Sequence, residues 1–294
     1  MPLSTGLLQH LQRLTGQNLK NHRLTAISGG DINDAYQLKT DRATWFIKLN
    51  RAELLSMFVA EAAGLNEIHH LKLIRVPKVV THGKFQSQAF LILEFIELRP
   101  LRGVSAIRFG QQLARLHQIK QPYFGWPVDN NIGHTPQHND RHSDWPLFWQ
   151  QQRLDKQLQL AARNGYLGDL QRKGQELSNN VAKFFTTYQP QPTLLHGDLW
   201  GGNAASDLQA NPVMYDPACY YGDRETDIAM TELFGGFEPS FYQAYQNECP
   251  LDNGYKTRKT LYNLYHILNH LNLFGRSYLS QSISMIDQLL AELK

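Results

Sequence analysis

The stretch of the sequence best suited to chemistry runs from residue 194 to residue 203, where two leucines give way to polar residues and glycines. Asp198 and Asn203 are five positions apart, and Asp216 ends a second apolar run thirteen residues later. Two short strands would bring these side chains together at one rim. One carboxylate could then accept the proton of an attacking hydroxyl, while the amide oxygen and the other carboxylate hold magnesium on phosphates. The spacing therefore predicts phosphoryl transfer.

The same order and spacing occur in the catalytic loop of kinases and their metal-binding aspartate, with Gly197 where protein kinases have arginine. Each residue alone also has a simpler interpretation. An aspartate in a loop is commonly a turn former, and Gly201-Gly202 could simply form a tight turn. The combination of Asp198, Asn203 and Asp216 favours the catalytic interpretation.

Composition excludes several classes of protein. The 294 residues, 42% of them hydrophobic and 19% charged, describe an ordinary globular chain with room for one large or two medium domains. A net charge of +3, without a basic cluster, gives no reason to expect nucleic acid. Two cysteines, Cys219 and Cys249, make no disulfide framework, so a cytoplasmic location is the default expectation. We find no secretory signal and no apolar run of membrane-spanning length, so no membrane partner is expected.

The first third of the chain has the pattern of an antiparallel sheet with one helix. An amphipathic helix opens the chain, and strands are predicted at 23–27, 35–38, 45–49, 76–82 and 89–96. The turn between the first two strands contains Gly29 and Gly30, whose backbone N–H groups could bind the phosphates of a nucleotide. Two adjacent glycines on their own favour an ordinary hairpin, so the phosphate-binding interpretation depends on the other motifs.

Lys48 lies within the third predicted strand, and Glu61 interrupts the apolar face of the helix that follows. A carboxylate on an apolar helix face is costly unless it is paired. Lysines in such strands are usually solvated, but here Lys48 is the natural partner of Glu61. In kinases a strand lysine paired with a helix glutamate positions the α- and β-phosphates. The sequence therefore predicts a Lys48–Glu61 pair at a nucleotide.

A lobe boundary is predicted near residues 97–102, because the strands end there and the remaining chain is mostly helical. This divides an N-terminal nucleotide-binding lobe, 1–97, from a C-terminal catalytic and substrate-binding lobe, 98–294. The main chain of Glu94, Phe95 and Ile96 lies at the crossing, where adenine could form hydrogen bonds. The alternative is a plain strand end.

Helical patterns dominate after the boundary. Helices are predicted at 107–119, 145–160, 166–188, 225–234, 241–247, 256–274 and 282–293. Three histidines, His134, His138 and His142, are spaced by four, as metal ligands on a helix would be. Pro136 interrupts that helix and no thiolate joins them, so a zinc site is not expected.

Two acidic residues lie where the helix at 225–234 begins. Asp223 is a plausible N-cap of this helix. Asp227, in its first turn, is either a surface carboxylate favoured by the helix dipole or an inward side chain that braces the catalytic loop. We assign Asp227 and His196 to structural support of that loop.

With residues 196–203 and 216–225 in view, the chain resembles the fructosamine/ketosamine-3-kinases, which belong to the aminoglycoside-phosphotransferase-like kinases. The loop at 129–137, with Trp145 and Phe148 after it, also resembles that family. The resemblance covers essentially the whole chain and is most specific at 216–225. It implies an α+β, two-lobed, protein-kinase-like fold: an N-lobe with a five-stranded antiparallel sheet and a helix, and a mainly helical C-lobe.

The resemblance implies phosphorylation of a ketosamine at its 3-hydroxyl with ATP and Mg2+, which makes the adduct unstable and releases the amine. Bacterial-looking members are often better on ribulosamines or erythrulosamines than on fructosamines. By this resemblance Asp198 matches the catalytic base, and Asn203 and Asp216 match the magnesium ligands. Lys48 and Glu61 match the phosphate-positioning pair. The adenine-binding hinge corresponds to Glu94, Phe95 and Ile96. Some eukaryotic members have a cysteine in the glycine turn, linked to redox-controlled dimerisation. The turn at 29–33 has none.

Substrate contacts are less defined. Trp200 and Tyr221 have flat faces that suit sugars, and Glu225 could contact an amine or a hydroxyl, whereas core packing is the favoured interpretation of Tyr220 and Trp145. Two other functions stay open: a kinase for another small molecule, such as an aminoglycoside, choline or homoserine, and a nucleotide-binding pseudokinase that serves as a scaffold. We expect a monomer or a weak dimer.

Overall fold

The computed structural model describes residues 3–27 and 33–294. The predicted glycine turn, with Gly29 and Gly30, lies outside the described residues.

The N-terminal part is a five-stranded antiparallel sheet with a helix on each face. The elements are α1 (Thr5–Thr15), β1 (His22–Ile27), β2 (Asp34–Thr40), β3 (Thr44–Arg51), α2 (Leu55–Leu71), β4 (Val79–Phe85) and β5 (Gln88–Glu94), with strand order β1-β2-β3-β5-β4. The strand predicted at 76–82 begins three residues later, at Val79. Pro77 explains the shift, because it has no N–H to donate to a neighbouring strand.

The alternation of β3 determines which side chains face which helix. Trp45, Ile47 and Leu49 are buried in a cluster with the leucines of α1. Phe46 packs on the opposite side, against the larger core that contains the buried face of α2. Lys48 shares that side, because residues two apart in a strand point the same way. The sheet therefore presents Lys48 to α2.

The C-terminal part is mainly helical with short two-stranded sheets. In order it contains α3 (Val104–Leu116), β6 (Asn130–Ile132), β7 (Thr135–Gln137), α4 (Trp145–Phe148), α5 (Asp155–Arg163), α6 (Asp169–Ser178), β8 (Thr193–Leu195), β9 (Ala204–Ser206), β10 (Pro212–Met214), β11 (Tyr220–Gly222), α7 (Glu225–Leu233), α8 (Pro239–Glu248), α9 (Tyr255–Phe274) and α10 (Leu279–Ala291). The protein thus has the predicted α+β architecture. The predicted lobe boundary falls between β5 and α3.

Two helical predictions need correction. The helix predicted at 166–188 is α6 followed by a separate 3-10 turn, Val181–Phe185. At its end Asn180 Nδ2 donates to the Glu176 carbonyl at 2.8 Å and so satisfies one of the last helical carbonyl groups. The helix predicted at 145–160 runs from α4 into α5 through a π-helical segment, Trp149–Leu154. The sequence pattern did not predict the β6–β7 hairpin.

One large core connects the two parts, since it contains side chains of α2 and β5 as well as those of the C-terminal helices. Short strand pairs rest on this core: β8 pairs with β11, and β9 pairs with β10. The loops that follow β8 and β10 therefore meet at one place. Among the described residues no helix is long and apolar enough to cross a membrane.

Candidate active site

Lys48 is held between two carboxylates. It is buried, and its Nζ donates to Glu61 Oε1 on α2 at 2.8 Å, which is the predicted pair. The same Nζ donates to Asp216 Oδ1 at 2.6 Å, a contact between residues 168 positions apart that the sequence pattern did not predict. Burial alone would lower the pKa of Lys48, but the charges of Asp216 and Glu61 outweigh burial and raise the pKa above its usual value. Lys48 therefore remains an ammonium.

Asp216 follows β10 in a backbone conformation that is unusual for an L-residue. Its φ is +57°, in the left-handed region. The residues around it are fixed to the catalytic loop: the Tyr215 N–H donates to the Asn203 carbonyl at 3.1 Å, and the Ala218 N–H donates to the His196 carbonyl at 2.8 Å. The Asp216 side chain is 46% exposed, so it reaches solvent while it contacts Lys48. With this backbone conformation the carboxylate reaches Lys48 Nζ.

Asn203 and Asp198 contact each other directly. Asn203 Nδ2 donates to the Asp198 carbonyl at 2.8 Å and to Asp198 Oδ2 at 3.0 Å. Because the amide nitrogen is used in this way, the Asn203 Oδ1 oxygen is free to bind a cation. Burial raises the pKa of Asp198 to about 7, and the nearby charge of Asp216 raises it as well, against the hydrogen bond from Asn203. The three predicted side chains thus converge.

Asp227 points inward and braces the catalytic loop, which decides between the two interpretations of this residue. Its Oδ2 accepts from the His196 N–H at 2.8 Å, and its Oδ1 accepts from the Gly197 N–H at 2.9 Å. Burial by itself would raise the pKa of Asp227, but the hydrogen bonds from His117 and from the Gly197 N–H help to lower it. Asp227 is therefore an ionised carboxylate that orients the loop.

His196 connects the loops that carry Asp198 and Asp216. Its Nδ1 accepts from the Asp198 N–H at 3.3 Å, so its Nε2 carries the proton and donates to the Tyr215 carbonyl at 3.0 Å. Burial lowers the pKa of His196, which keeps the ring neutral. A neutral ring can donate on one side and accept on the other, as this position requires.

Gly197 explains why glycine replaces the arginine of protein kinases at this point in the loop. Its φ is +80°, and a Cβ at this position would lie 2.1 Å from the Ala218 carbonyl oxygen. No other residue fits without a shift of the backbone.

The main chain at the end of β5 is only partly used in hydrogen bonds within the described residues. The Glu94 N–H donates to the Lys78 carbonyl at 2.8 Å, and the Phe95 N–H donates to the Thr44 carbonyl at 3.3 Å. Among the described residues no main-chain oxygen accepts a hydrogen bond from the Ile96 N–H. The Glu94 carboxylate turns away to pair with Arg75 at 2.7 Å. Of the three predicted hinge residues, Ile96 offers the free N–H.

Two of the predicted substrate contacts need correction. Glu225 is fully buried, and its carboxylate pairs with Arg258 Nε at 2.8 Å. Tyr221 is buried, and its hydroxyl donates to Glu67 Oε1 at 2.5 Å. Both side chains are occupied inside the protein and are not available to a substrate. Trp200 is 39% exposed beside the loop, so it alone of the three is accessible.

The favoured interpretation of Trp145 and Tyr220, core packing, agrees with the structure. Both are buried, and the Trp145 Nε1–H donates to the Tyr262 hydroxyl at 3.0 Å. Asp223 accepts from the Glu225 N–H at 3.1 Å at the start of α7, as an N-terminal cap would, and Tyr262 donates to its other oxygen at 2.5 Å.

The oxygens of Asp216 and Asn203 fit magnesium, which binds proteins through one or two carboxylates together with substrate phosphates. They do not form a complete metal cage. In the part of the chain that the structure describes, no group of three or more His, Cys, Asp and Glu side chains could hold an ion. A cation here would need oxygens from a bound phosphate, as in a nucleotide-dependent kinase.

Comparison with known proteins identifies relatives over nearly the full length. A family model described as fructosamine kinase matches residues 4–292. A probable ketoamine kinase of Vibrio parahaemolyticus is 44% identical over 287 residues, which cover 95% of this chain and 98% of that protein. The chloroplastic protein-ribulosamine 3-kinase of Arabidopsis thaliana is 43% identical over 277 residues, covering 92% and 84%.

Solved structures agree with these matches. A Haemophilus somnus protein, provisionally assigned as a fructosamine-3-kinase, superimposes with a TM-score of 0.88 at 32% identity and covers 97% of both chains. The ADP-bound aminoglycoside phosphotransferase APH(2'')-Ib superimposes with a TM-score of 0.63 at 15% identity, covering 98% of both. At that identity the likeness shows the fold alone, which is the two-lobed kinase fold.

Proposed function

The chain belongs to the fructosamine kinase family, and on that premise we propose that it is an ATP-dependent kinase that phosphorylates the 3-hydroxyl of ketosamines. Ribulosamine, erythrulosamine and fructosamine adducts are the candidate substrates. The observation that carries the proposal is the convergence of Lys48, Asp216, Asn203 and Asp198. Phosphorylation at the 3-hydroxyl would make the adduct unstable and release its amine, which starts deglycation.

The nucleotide would lie between the two parts of the protein. The free N–H of Ile96 would donate to adenine. Lys48, which Glu61 and Asp216 orient, would donate to the α- and β-phosphates. Gly29 and Gly30 would add backbone N–H groups over the phosphates, a role that the sequence pattern allows.

Asp198 would act as the catalytic base. Its Oδ2 is held by Asn203, which leaves Oδ1 to accept the proton of the sugar hydroxyl. The transition state of phosphoryl transfer is loose, so Asp198 orients the hydroxyl more than it deprotonates it. A raised pKa, about 7, suits a group that must accept and release a proton near neutral pH.

Asn203 Oδ1 and the Asp216 carboxylate would hold Mg2+. Bound there, the ion would offset negative charge on the β- and γ-phosphate oxygens. The Lys48 ammonium, 2.6 Å from Asp216, would keep that carboxylate in place. Trp200, the exposed aromatic residue beside the loop, would pack against the sugar.

A substrate panel tests this proposal. The purified protein is incubated with MgATP and ribulosyl-lysine, erythrulosyl-lysine or fructosyl-lysine, and ADP release is measured beside kanamycin, choline and homoserine as acceptors. We expect ADP release with at least one ketosamine, with a sugar phosphate as the second product. Turnover of one of the other acceptors alone would contradict the ketosamine assignment. Binding of MgATP without turnover of any acceptor would instead support a pseudokinase.

A further inference from the structure

Residues at three successive positions along one side of α2 lie against Asp216 or the segment that follows it. At the first level Glu61 meets Asp216 through Lys48. Three residues later, a Cβ at Gly64 would lie 3.0 Å from Cys219 Sγ. This approach is possible only because residue 64 has no side chain. The helix therefore packs directly against the polypeptide that carries Asp216.

At the last level of this contact the Glu67 carboxylate accepts two hydrogen bonds. Glu67 Oε1 accepts from the Tyr221 hydroxyl at 2.5 Å, and Glu67 Oε2 accepts from the Trp126 indole N–H at 2.7 Å. Tyr221 and Trp126 are both buried. Hydrogen bonds to an ionised group are about twice as strong as those between neutral groups. Glu67 is thus a two-donor clamp between α2 and the C-terminal part.

The backbone presents the two donors as one rigid unit. The Gly125 N–H donates to the Tyr221 carbonyl at 2.9 Å, and the Tyr221 N–H donates back to the Gly125 carbonyl at 2.8 Å. Gly125 has a φ of +107°, and a Cβ there would lie 2.4 Å from the Asp140 carbonyl oxygen. Trp126 follows directly. The clamp therefore binds to a fixed surface, not to two independent side chains.

Glu61 and Glu67 are six positions apart on α2, which corresponds to a rise of about 9 Å along the helix axis. In protein kinases the corresponding lysine–glutamate pair is controlled by movement of the helix that bears the glutamate. Here any outward rotation or translation of α2 would break both hydrogen bonds of Glu67. Glu67 touches none of the groups assigned to the nucleotide or the sugar, so its influence must pass through α2.

We propose that Glu67 is a positioning residue that keeps α2 where Glu61 pairs with Lys48, so that the phosphate-binding lysine is oriented before nucleotide arrives. The inference rests on the proposed function, because it assigns Lys48 to nucleotide phosphates. It adds that the lysine–glutamate pair of this protein needs no separate activating event.

The test is a double-mutant cycle between Glu67 and Glu61, measured as kcat/KM for MgATP and as the Kd of MgATP. Glu67→Ala should lower kcat/KM by roughly tenfold or more, because two hydrogen bonds to a charged group are lost. Glu67→Gln, which keeps one acceptor oxygen, should lose less. In a Glu61→Gln background, Glu67→Ala should add less than about threefold, because the pathway through Glu61 is already impaired.

Glu232 supplies a matched control. Its carboxylate also has two donors, the Tyr255 hydroxyl at 2.5 Å and Lys259 Nζ at 2.7 Å, but it lies on α7. Glu232→Ala should alter stability without a change in kcat/KM for MgATP. Hydrogen exchange of the α2 amides should be faster in Glu67→Ala and unchanged in Glu232→Ala.

Two results would overturn the proposal. The first is that the losses of kcat/KM from Glu67→Ala and Glu61→Gln multiply fully in the double variant. The second is that Glu67→Ala lowers the Tm but binds MgATP with the affinity of the wild type. Either would make Glu67 a structural residue only. Tyr221→Phe provides a milder variant if Glu67→Ala does not fold, with a smaller loss expected from one missing hydrogen bond. A wild-type protein that binds MgATP but phosphorylates no ketosamine would contradict the proposed substrate, and the cycle would still be measured through the Kd.

Discussion

The Lys48 ammonium lies 2.6 Å from Asp216 Oδ1, so one hydrogen bond connects the N-terminal sheet to the loop after β10. Glu61 completes the contact at 2.8 Å from α2. Three elements that are distant in the sequence are thus fixed relative to one another at the position where phosphates would bind. Loss of the lysine would leave the largely buried Glu61 carboxylate without its cation.

This geometry predicts separate effects on stability and on catalysis. Lys48→Met should lower the free energy of unfolding by about 3–5 kcal/mol, the usual result when one partner of a buried ion pair is removed. Lys48→Met/Glu61→Leu should regain most of that stability, because both members of the buried pair are removed and Asp216, the other partner of Lys48, is 46% exposed to solvent. Chemical denaturation measures both variants.

The same two variants should differ little in catalysis. Both lose the phosphate donor, and kcat/KM should fall by about 10²–10³-fold in each. If the double variant regained activity together with stability, Lys48 would have only a structural role.

The loop glycine gives a second prediction. Gly197→Ala should lower both kcat and the free energy of unfolding, because the added Cβ would collide with the Ala218 carbonyl at 2.1 Å. Gly165 is the matched control, since its φ of +88° is similar and nothing lies within 4 Å of its Cβ position. Gly165→Ala should cost only about 1 kcal/mol, the conformational cost of φ above zero, and leave kcat unchanged. Equal effects of the two substitutions in thermal unfolding would show that the Ala218 contact is unimportant.

The pair Lys48–Glu61 could be predicted because its signal is local: a carboxylate interrupts an apolar helix stripe and a lysine lies in the strand before it. The sequence also predicts that Asp198, Asn203 and Asp216 lie together, since Asp198 and Asp216 come after short apolar runs and Asn203 is five positions after Asp198. The second partner of Lys48 could not be predicted, because Asp216 is 168 positions away and only the folded chain brings the two together.

For Glu225 the sequence pattern predicts a substrate contact that the structure does not support. An acidic residue near the catalytic segment was a reasonable candidate for a substrate contact. Its partner, Arg258, lies 33 positions later on α9, and a sequence pattern does not show that α7 and α9 pack together. The same reason applies to Tyr221, since its acceptor Glu67 is 154 positions earlier in the sequence.

A third prediction concerns acid stability at the contact between the two parts of the protein. Asp207 is buried, and its carboxylate accepts from Asn211 and from Arg75 Nη1 at 2.6 Å. Burial would raise its pKa, but the hydrogen bonds from Asn211 and Arg75 outweigh burial and lower the pKa to about 2. The folded protein therefore holds this proton less tightly than the unfolded chain, whose aspartate has a pKa of about 3.9.

Because the folded-state pKa is the lower one, this stabilisation is fully present above about pH 4 and disappears as the pH falls towards 2. At pH 6 Asp207→Asn should be less stable than the wild type by about 2 kcal/mol. The difference should shrink towards zero near pH 2, as measured by urea unfolding across this range. A difference that is constant with pH would show that the ionised form of Asp207 contributes nothing.

The central claim, that Asp198 is the base of a phosphoryl transfer, is tested most directly by Asp198→Asn. An asparagine keeps an oxygen for the contact with Asn203 Nδ2, which lies 3.0 Å from Asp198 Oδ2, so the loop should remain folded. The measurement is the single-turnover rate of ribulosyl-lysine phosphorylation beside the Kd of MgATP. We predict a rate about 10²–10⁴-fold lower with the Kd nearly unchanged. A rate close to that of the wild type would contradict the account.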